Sequence, residues 1–155
     1  MTTQLAASNR GETPKPTTRR VLIVEDSPFV HQIYRVAFRR LGGWELVHST
    51  NGEEGLAALE PAPVDLIVLD INMPVMNGLQ FIDRLQQRPR DRNTHVLVAT
   101  TEGDDGPLRE AIARGAKSYL KKPFTLEQLL ALITRVVTVL PPRAAAAPSA
   151  PGTSP

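Results

Sequence analysis

The sequence predicts an α/β fold, a doubly wound sheet of five parallel strands carrying five helices as a three-layer sandwich. Two observations predict it. Five short apolar runs alternate with capped, amphipathic segments along the chain, the order of elements that a strand–helix–strand sheet with right-handed crossovers requires. Three of the runs are near-continuous Val, Ile and Leu, as in strands covered on both faces.

The first strand is read in "RVLIVE" (20–25). Ser27 then supplies a helix N-cap with Pro28 at the first helical position. Phe29, Ile33, Val36, Ala37 and Leu41 are the expected buried face, and Gly42-Gly43 stops the helix. "WELVHS" (44–49) is the second strand, followed by a short helix over about 52–60 that Pro61 closes. "DLIVLD" (65–70) is the third strand; Leu79, Phe81, Ile82 and Leu85 mark a helix ending before Pro89.

"HVLVAT" (95–100) is the fourth strand. The segment 102–115, "EGDDGPLREAIARG", is a helix whose start is crowded by Gly103, Gly106 and Pro107, so it is expected to begin late. "AKSYLK" (116–121) is the fifth strand. Thr125 and Gln128 form a capping box for the last helix, whose stripe is Leu126, Leu129, Leu130, Ile133, Val136, Val137 and Leu140. Met73 and Met76 are read as turn and core fillers, "RPRDR" (88–92) as a solvated loop, and the scattered His31, His48 and His95 as structural or surface residues.

One domain over 20–140 is expected, between an extension (1–19) and a Pro/Ala-rich tail (141–155) that cannot bury enough apolar surface to order themselves. Cysteine is absent from the 155 residues, which excludes disulfides, zinc thiolates and cysteine nucleophiles. No apolar run spans a bilayer and the N-terminus lacks a secretory core, so a cytoplasmic protein that does not enter the membrane is expected. The net charge of +2 hides an asymmetry: residues 1–20 carry +3 and 141–155 carry +1, leaving −2 on 21–140. The positive excess therefore lies in the tails, and no aromatic-basic stripe marks a nucleic-acid face.

In such a sheet, ligands bind beyond the carboxyl ends of the strands. There the sequence places Glu25 and Asp26, then Asp70, then Thr100 and Thr101, and finally Lys121, Lys122 and Pro123. Three carboxylates in one pocket repel unless one is protonated or a cation joins them. A hard divalent ion such as Mg²⁺, which takes oxygen ligands and keeps waters, suits this set. A cation beside one carboxylate, with a lysine opposite, is also an arrangement for phosphoryl transfer, with Asp70 as the attacking group and Lys122 and Thr100 on the phosphoryl oxygens.

These residues carry a resemblance. The acidic pair, "D-x-N-M-P-x-M-x-G" from Asp70, the Thr after the fourth strand and "K-P-F" from Lys122 occur in order, at intervals of 44, 30 and 22 residues (26 to 70, 70 to 100, 100 to 122). In this the chain resembles the response-regulator receiver domain of two-component signalling, and the stand-alone chemotaxis regulator in particular, over about 20–140. The resemblance implies a flavodoxin-like sheet in the order 2-1-3-4-5.

It implies that Asp70 accepts a phosphoryl group from a sensor histidine kinase, with Mg²⁺ held by Asp26, Asp70, the Asn72 carbonyl and, through water, Glu25. Thr100, favoured by spacing over Thr101, would be the switch hydroxyl and Tyr119 the aromatic that turns with it. Lys122 would contact the phosphoryl group, and its bond to Pro123 is expected to be cis. Asn72 and Glu102 occupy the positions that tune water attack on the acyl phosphate, and here imply a short-lived signal. The output would be a face of the fourth helix, fifth strand and fifth helix, read by a downstream protein. The protein would be a signalling phosphoacceptor, monomeric or weakly dimeric, without direct DNA binding and not an enzyme beyond its own phosphorylation and dephosphorylation. The alternatives are a phosphorelay shuttle to a histidine phosphotransfer protein and a haloacid-dehalogenase-type phosphatase. The last wants an Asp two residues after the nucleophile, where this chain has Asn72.

Overall fold

The computed structural model describes residues 18–101 and 105–142. Five strands, β1 (Arg19–Val24), β2 (Trp44–Ser49), β3 (Leu66–Asp70), β4 (His95–Thr101) and β5 (Ser118–Lys122), alternate with α1 (Pro28–Leu41), α2 (Gly52–Ala58), α3 (Gly78–Gln86), α4 (Asp105–Ala113) and α5 (Leu126–Val139). The sheet is parallel throughout, in the order β2-β1-β3-β4-β5. The reversal of direction between β1 and β3 is the switch point at which such sheets hold their ligands.

Residue alternation divides the sheet into two cores. Leu22, Val24, Ile67, Leu69, Val96 and Val98 face α2, α3 and α4, meeting Leu59, Phe81, Ile82, Leu85, Leu108 and Ala111. Val21, Ile23, Leu66, Val68 and Leu97 face α1 and α5, meeting Tyr34, Ala37, Phe38, Leu129, Ile133 and Val136. Every residue of β3 is buried, because this central strand is covered on both faces.

Local signals end the helices where the residues allow. Ser27 Oγ accepts from the Val30 N–H at 3.4 Å. Asn77 with Gln80, and Thr125 with Gln128, form reciprocal capping boxes. Gly42 and Gly43, at φ 68° and 73°, turn the chain out of α1 in a conformation that other residues enter only with strain. Met73 and Met76 pack against the α2–α4 core.

Three expectations require correction. The buried face of α1 is His31, Tyr34, Ala37 and Phe38, whereas Phe29 and Val36 are 75% and 46% exposed. The helix carries two apolar stripes, and the one with the larger aromatic area goes inward. β5 runs over 118–122 rather than 116–121: the Ala116 N–H still donates to the Ala111 carbonyl of α4, and Lys117 makes the first bond toward β4, its N–H donating to the Val96 carbonyl.

The arginine-rich loop is not simply solvated. Arg88 and Arg90 both pair with Asp91, which is 1% exposed, and Arg88 reaches Glu60 at 2.8 Å while Arg90 donates to the Leu59 carbonyl. The loop thereby ties the end of α3 to the end of α2. The histidines are structural, and two of them meet: His31 Nδ1 lies 2.7 Å from His48 Nδ1, while His95 Nε2 lies 2.8 Å from Ser118 Oγ. No described helix is long and apolar enough to cross a membrane.

Candidate functional site

Each strand delivers its last residues to one end of the sheet. β1 gives way to Glu25 and Asp26 just before the cap of α1, β3 ends in Asp70, and β5 ends in Lys122. Glu25, Asp26 and Asp70 each offer a carboxylate oxygen within 4.8 Å of the others. Glu25 and Asp70 are buried and Asp26 is exposed, so the group has a sheltered floor and an open rim.

Lys122 is the counter-charge. Its Nζ donates to Glu25 Oε2 at 2.7 Å and lies 3.6 Å from Asp70 Oδ1. The other Glu25 oxygen, Oε1, accepts from the Ser27 N–H at 3.1 Å. Asp70 Oδ1 accepts from the Asn72 N–H at 3.3 Å. Burial first, and then the charge of Glu25, push the Asp70 carboxyl up to about 6, against the pull of Lys122 and the Asn72 N–H. One ammonium does not neutralise three carboxylates. A carboxylate set short of positive charge, with oxygen donors only, is the chemistry of a Mg²⁺ site, and the residues present fit that ion.

The loop after Asp70 holds this geometry by close backbone approach. A Cβ at Gly78 would sit 2.5 Å from the Asp70 carbonyl oxygen and 2.8 Å from Ile71 Cα, so only glycine lets α3 begin there. The Gly78 N–H donates to the Ile71 carbonyl at 2.8 Å. Within the loop, the Met76 N–H donates back to the Pro74 carbonyl at 2.8 Å. Val75, at φ 69°, is thus the centre of a γ-turn, an unusual conformation for a β-branched residue.

The remaining sequence candidates fall as follows. Thr100 follows Ala99, the β4 partner of Asp70, and is buried, whereas Thr101 is exposed. Tyr119 is 48% exposed beside Val98. The Lys122–Pro123 peptide is cis. Glu102 lies outside the described residues. Two residues at the site escaped the sequence reading. His31 Nε2 meets the Glu25 backbone carbonyl at 2.5 Å. Tyr34 lies fully buried in the α1–α5 core, where the charges of Glu25 and Asp70 act on its hydroxyl. Only the second apolar stripe of α1 would have pointed to them.

Comparison with known proteins places the fold in a family. The sequence model of the response regulator receiver domain matches residues 21–134. The chain is 30% identical to the chemotaxis protein CheY of Thermotoga maritima, over 76% of this chain and 97% of that one. It is similar in structure to the chemotaxis response regulator CheY4 of Vibrio cholerae, with a TM-score of 0.72 and 35% identity, covering 77% of this chain and 99% of that chain. It also aligns at 36% identity with a longer response regulator, DctR of Halalkalibacterium halodurans, where 75% of this chain spans half the relative's length.

Proposed function

The chain belongs to the response regulator receiver domain family, and from that premise we propose that residues 20–140 act as a CheY-like phosphoacceptor whose acceptor is Asp70. The observation that carries this reading is the meeting of Asp70 with Glu25, Asp26 and Lys122 from three separate strand ends. An Asp70 oxygen attacks the phosphorus of a phosphohistidine on a sensor kinase; the P–O bond forms as the P–N bond breaks, and the imidazole leaves. Asp26, Asp70, the Asn72 carbonyl and, through water, Glu25 would hold Mg²⁺, which offsets charge on the transferring oxygens.

Lys122 and the Thr100 hydroxyl then bind the phosphoryl oxygens, and Tyr119 turns inward behind Thr100. The α4-β5-α5 face changes as a result and a downstream protein reads it. The Lys121 ammonium, 3.0 Å from Asp105 across that face, supports a coupling of β5 to α4. Action without an attached output domain is supported by the chemotaxis relatives, which match over nearly their full length. Asn72 and Glu102 keep the acyl phosphate short-lived by admitting water.

The test is phosphorylation by acetyl phosphate with Mg²⁺, followed by intact mass. Asp70→Asn is expected to take up no phosphate; uptake by that variant sinks the assignment. Capture of a partner only in the presence of beryllofluoride would identify the downstream protein. A phosphoryl lifetime unchanged when Asn72 and Glu102 are both replaced would refute their tuning role.

A further inference from the structure

Tyr34 is a large residue near the site whose chemistry the described fold leaves unused. Its ring is fully buried in the α1–α5 core and packs at 5.9 Å from the ring of Phe124, two residues beyond Lys122. Its hydroxyl is buried and meets no hydrogen-bond partner among the described residues. A phenylalanine would keep the same packing without a buried polar group left unmade, so in this arrangement the hydroxyl is a net liability.

Tyr34 lies on the face of the sheet that ends in the carboxylates. Tyr34 shares its core with Val21 and Ile23 of β1 and with Leu66 and Val68 of β3. Alternation along those strands brings Glu25 and Asp70 next on the same face. Burial, and then the charges of Glu25 and Asp70, hold the phenol far above its ordinary pKa, so it keeps its proton and is a donor.

Both Glu25 oxygens are engaged at rest, Oε1 by Ser27 and Oε2 by Lys122. Once Lys122 turns to a phosphoryl group on Asp70, Oε2 of a side chain only 2% exposed loses its donor. A buried carboxylate that loses a charged donor is costly, even where a metal-bound water would still reach one of its oxygens. We propose that Tyr34 is a positioning residue of the phosphorylated state: its hydroxyl donates to the Glu25 carboxylate when Lys122 leaves it, and so favours that state over the resting one. This rests on Asp70 being the acceptor.

The experiment compares wild type, Tyr34→Phe and Asp70→Asn by thermal unfolding and by titration with beryllofluoride in Mg²⁺. Tyr34→Phe is expected to be at least as stable as wild type at rest, with Mg²⁺ affinity within about twofold, since Lys122 still holds Glu25. Its beryllofluoride affinity should fall about tenfold, ~1.4 kcal/mol. Equal affinity in Tyr34→Phe and wild type, with Asp70→Asn unresponsive, overturns the role of Tyr34 and leaves Asp70 standing. Loss of resting stability in Tyr34→Phe also overturns it, because the hydroxyl would already be partnered. A wild type as unresponsive as Asp70→Asn removes both readings together.

Discussion

Lys122 rests on Glu25, not on Asp70: its Nζ is 2.7 Å from Glu25 Oε2 and 3.6 Å from Asp70 Oδ1. The lysine is thus held by the carboxylate behind the acceptor, and the acceptor keeps a carboxyl group displaced toward its neutral form. Charge at this site is poised rather than satisfied.

Lys122→Ala should therefore destabilise the protein through Glu25. Removing one partner of a buried pair costs about 3–5 kcal/mol, and here about 3 kcal/mol is expected because the lysine is 17% exposed. Mg²⁺ supplies replacement charge, so saturating Mg²⁺ should raise the midpoint of Lys122→Ala more than that of wild type. Denaturant unfolding with chelator and with Mg²⁺ measures both; an equal response would argue against a shared charge site.

Asp70 gives a pH signature of definite sign. Its carboxyl sits at about 6 in the folded chain against 3.8 in its ordinary state. The folded state therefore binds more protons between about 4 and 6, and stability falls as pH rises through that window. Asp70→Asn lacks this penalty. It should exceed wild type by on the order of 3 kcal/mol at pH 7 without Mg²⁺, with the gap closing below pH 4. A gap independent of pH would rule out the buried charge as its cause.

His48 titrates with the opposite sign. Burial first, then His31 and Arg35, lower it to about 4 from 6.5. The unfolded chain binds the extra proton between those values, so stability is present above about 6.5 and lost as pH falls toward 4. His48→Gln, which can still donate to His31 Nδ1, should lose less on acidification, by about 1–2 kcal/mol since the ring is only half buried. Difference curves against wild type separate this from the Asp70 effect; parallel curves would exclude it.

Val75 stores local strain at the edge of the site. Its positive φ costs roughly 1–3 kcal/mol, part of which glycine returns through unfolded-chain entropy. Val75→Gly should stabilise by about 1 kcal/mol net, read as a higher denaturant midpoint with unchanged slope. Destabilisation would mean that the exposed side chain makes contacts worth more than the strain.

The strands were legible because β1, β3 and β4 are buried on both sides and so write their burial as unbroken apolar runs. The Asp70 turn was legible because Pro74, Asn77 and Gly78 each have few conformational uses. β5 begins two residues later and ends one later than read because "AKSYLK" has only Tyr119 and Leu120 to mark it, and register there is set by β4. The inward stripe of α1 was misassigned because Phe29 and Val36 keep as good a helical period as Tyr34 and Phe38. Spacing from Asp70 alone favoured Thr100 over Thr101 in the sequence, and the burial of the first and exposure of the second separate them in the structure.

By itself, then, the sequence determined the strand–helix alternation, the caps that start α1 and α5, and the set of acidic, hydroxyl and basic groups at the strand ends. These are local quantities, governed by the period of each element and the conformational range of single residues. Only the tertiary structure decided that Lys122 pairs with Glu25, that His31 meets His48, that Asp91 draws in Arg88 and Arg90, and that Tyr34 is buried in the core with its hydroxyl unmatched. Such choices depend on the volumes and charges that distant segments bring to the same place, and no window of sequence contains them.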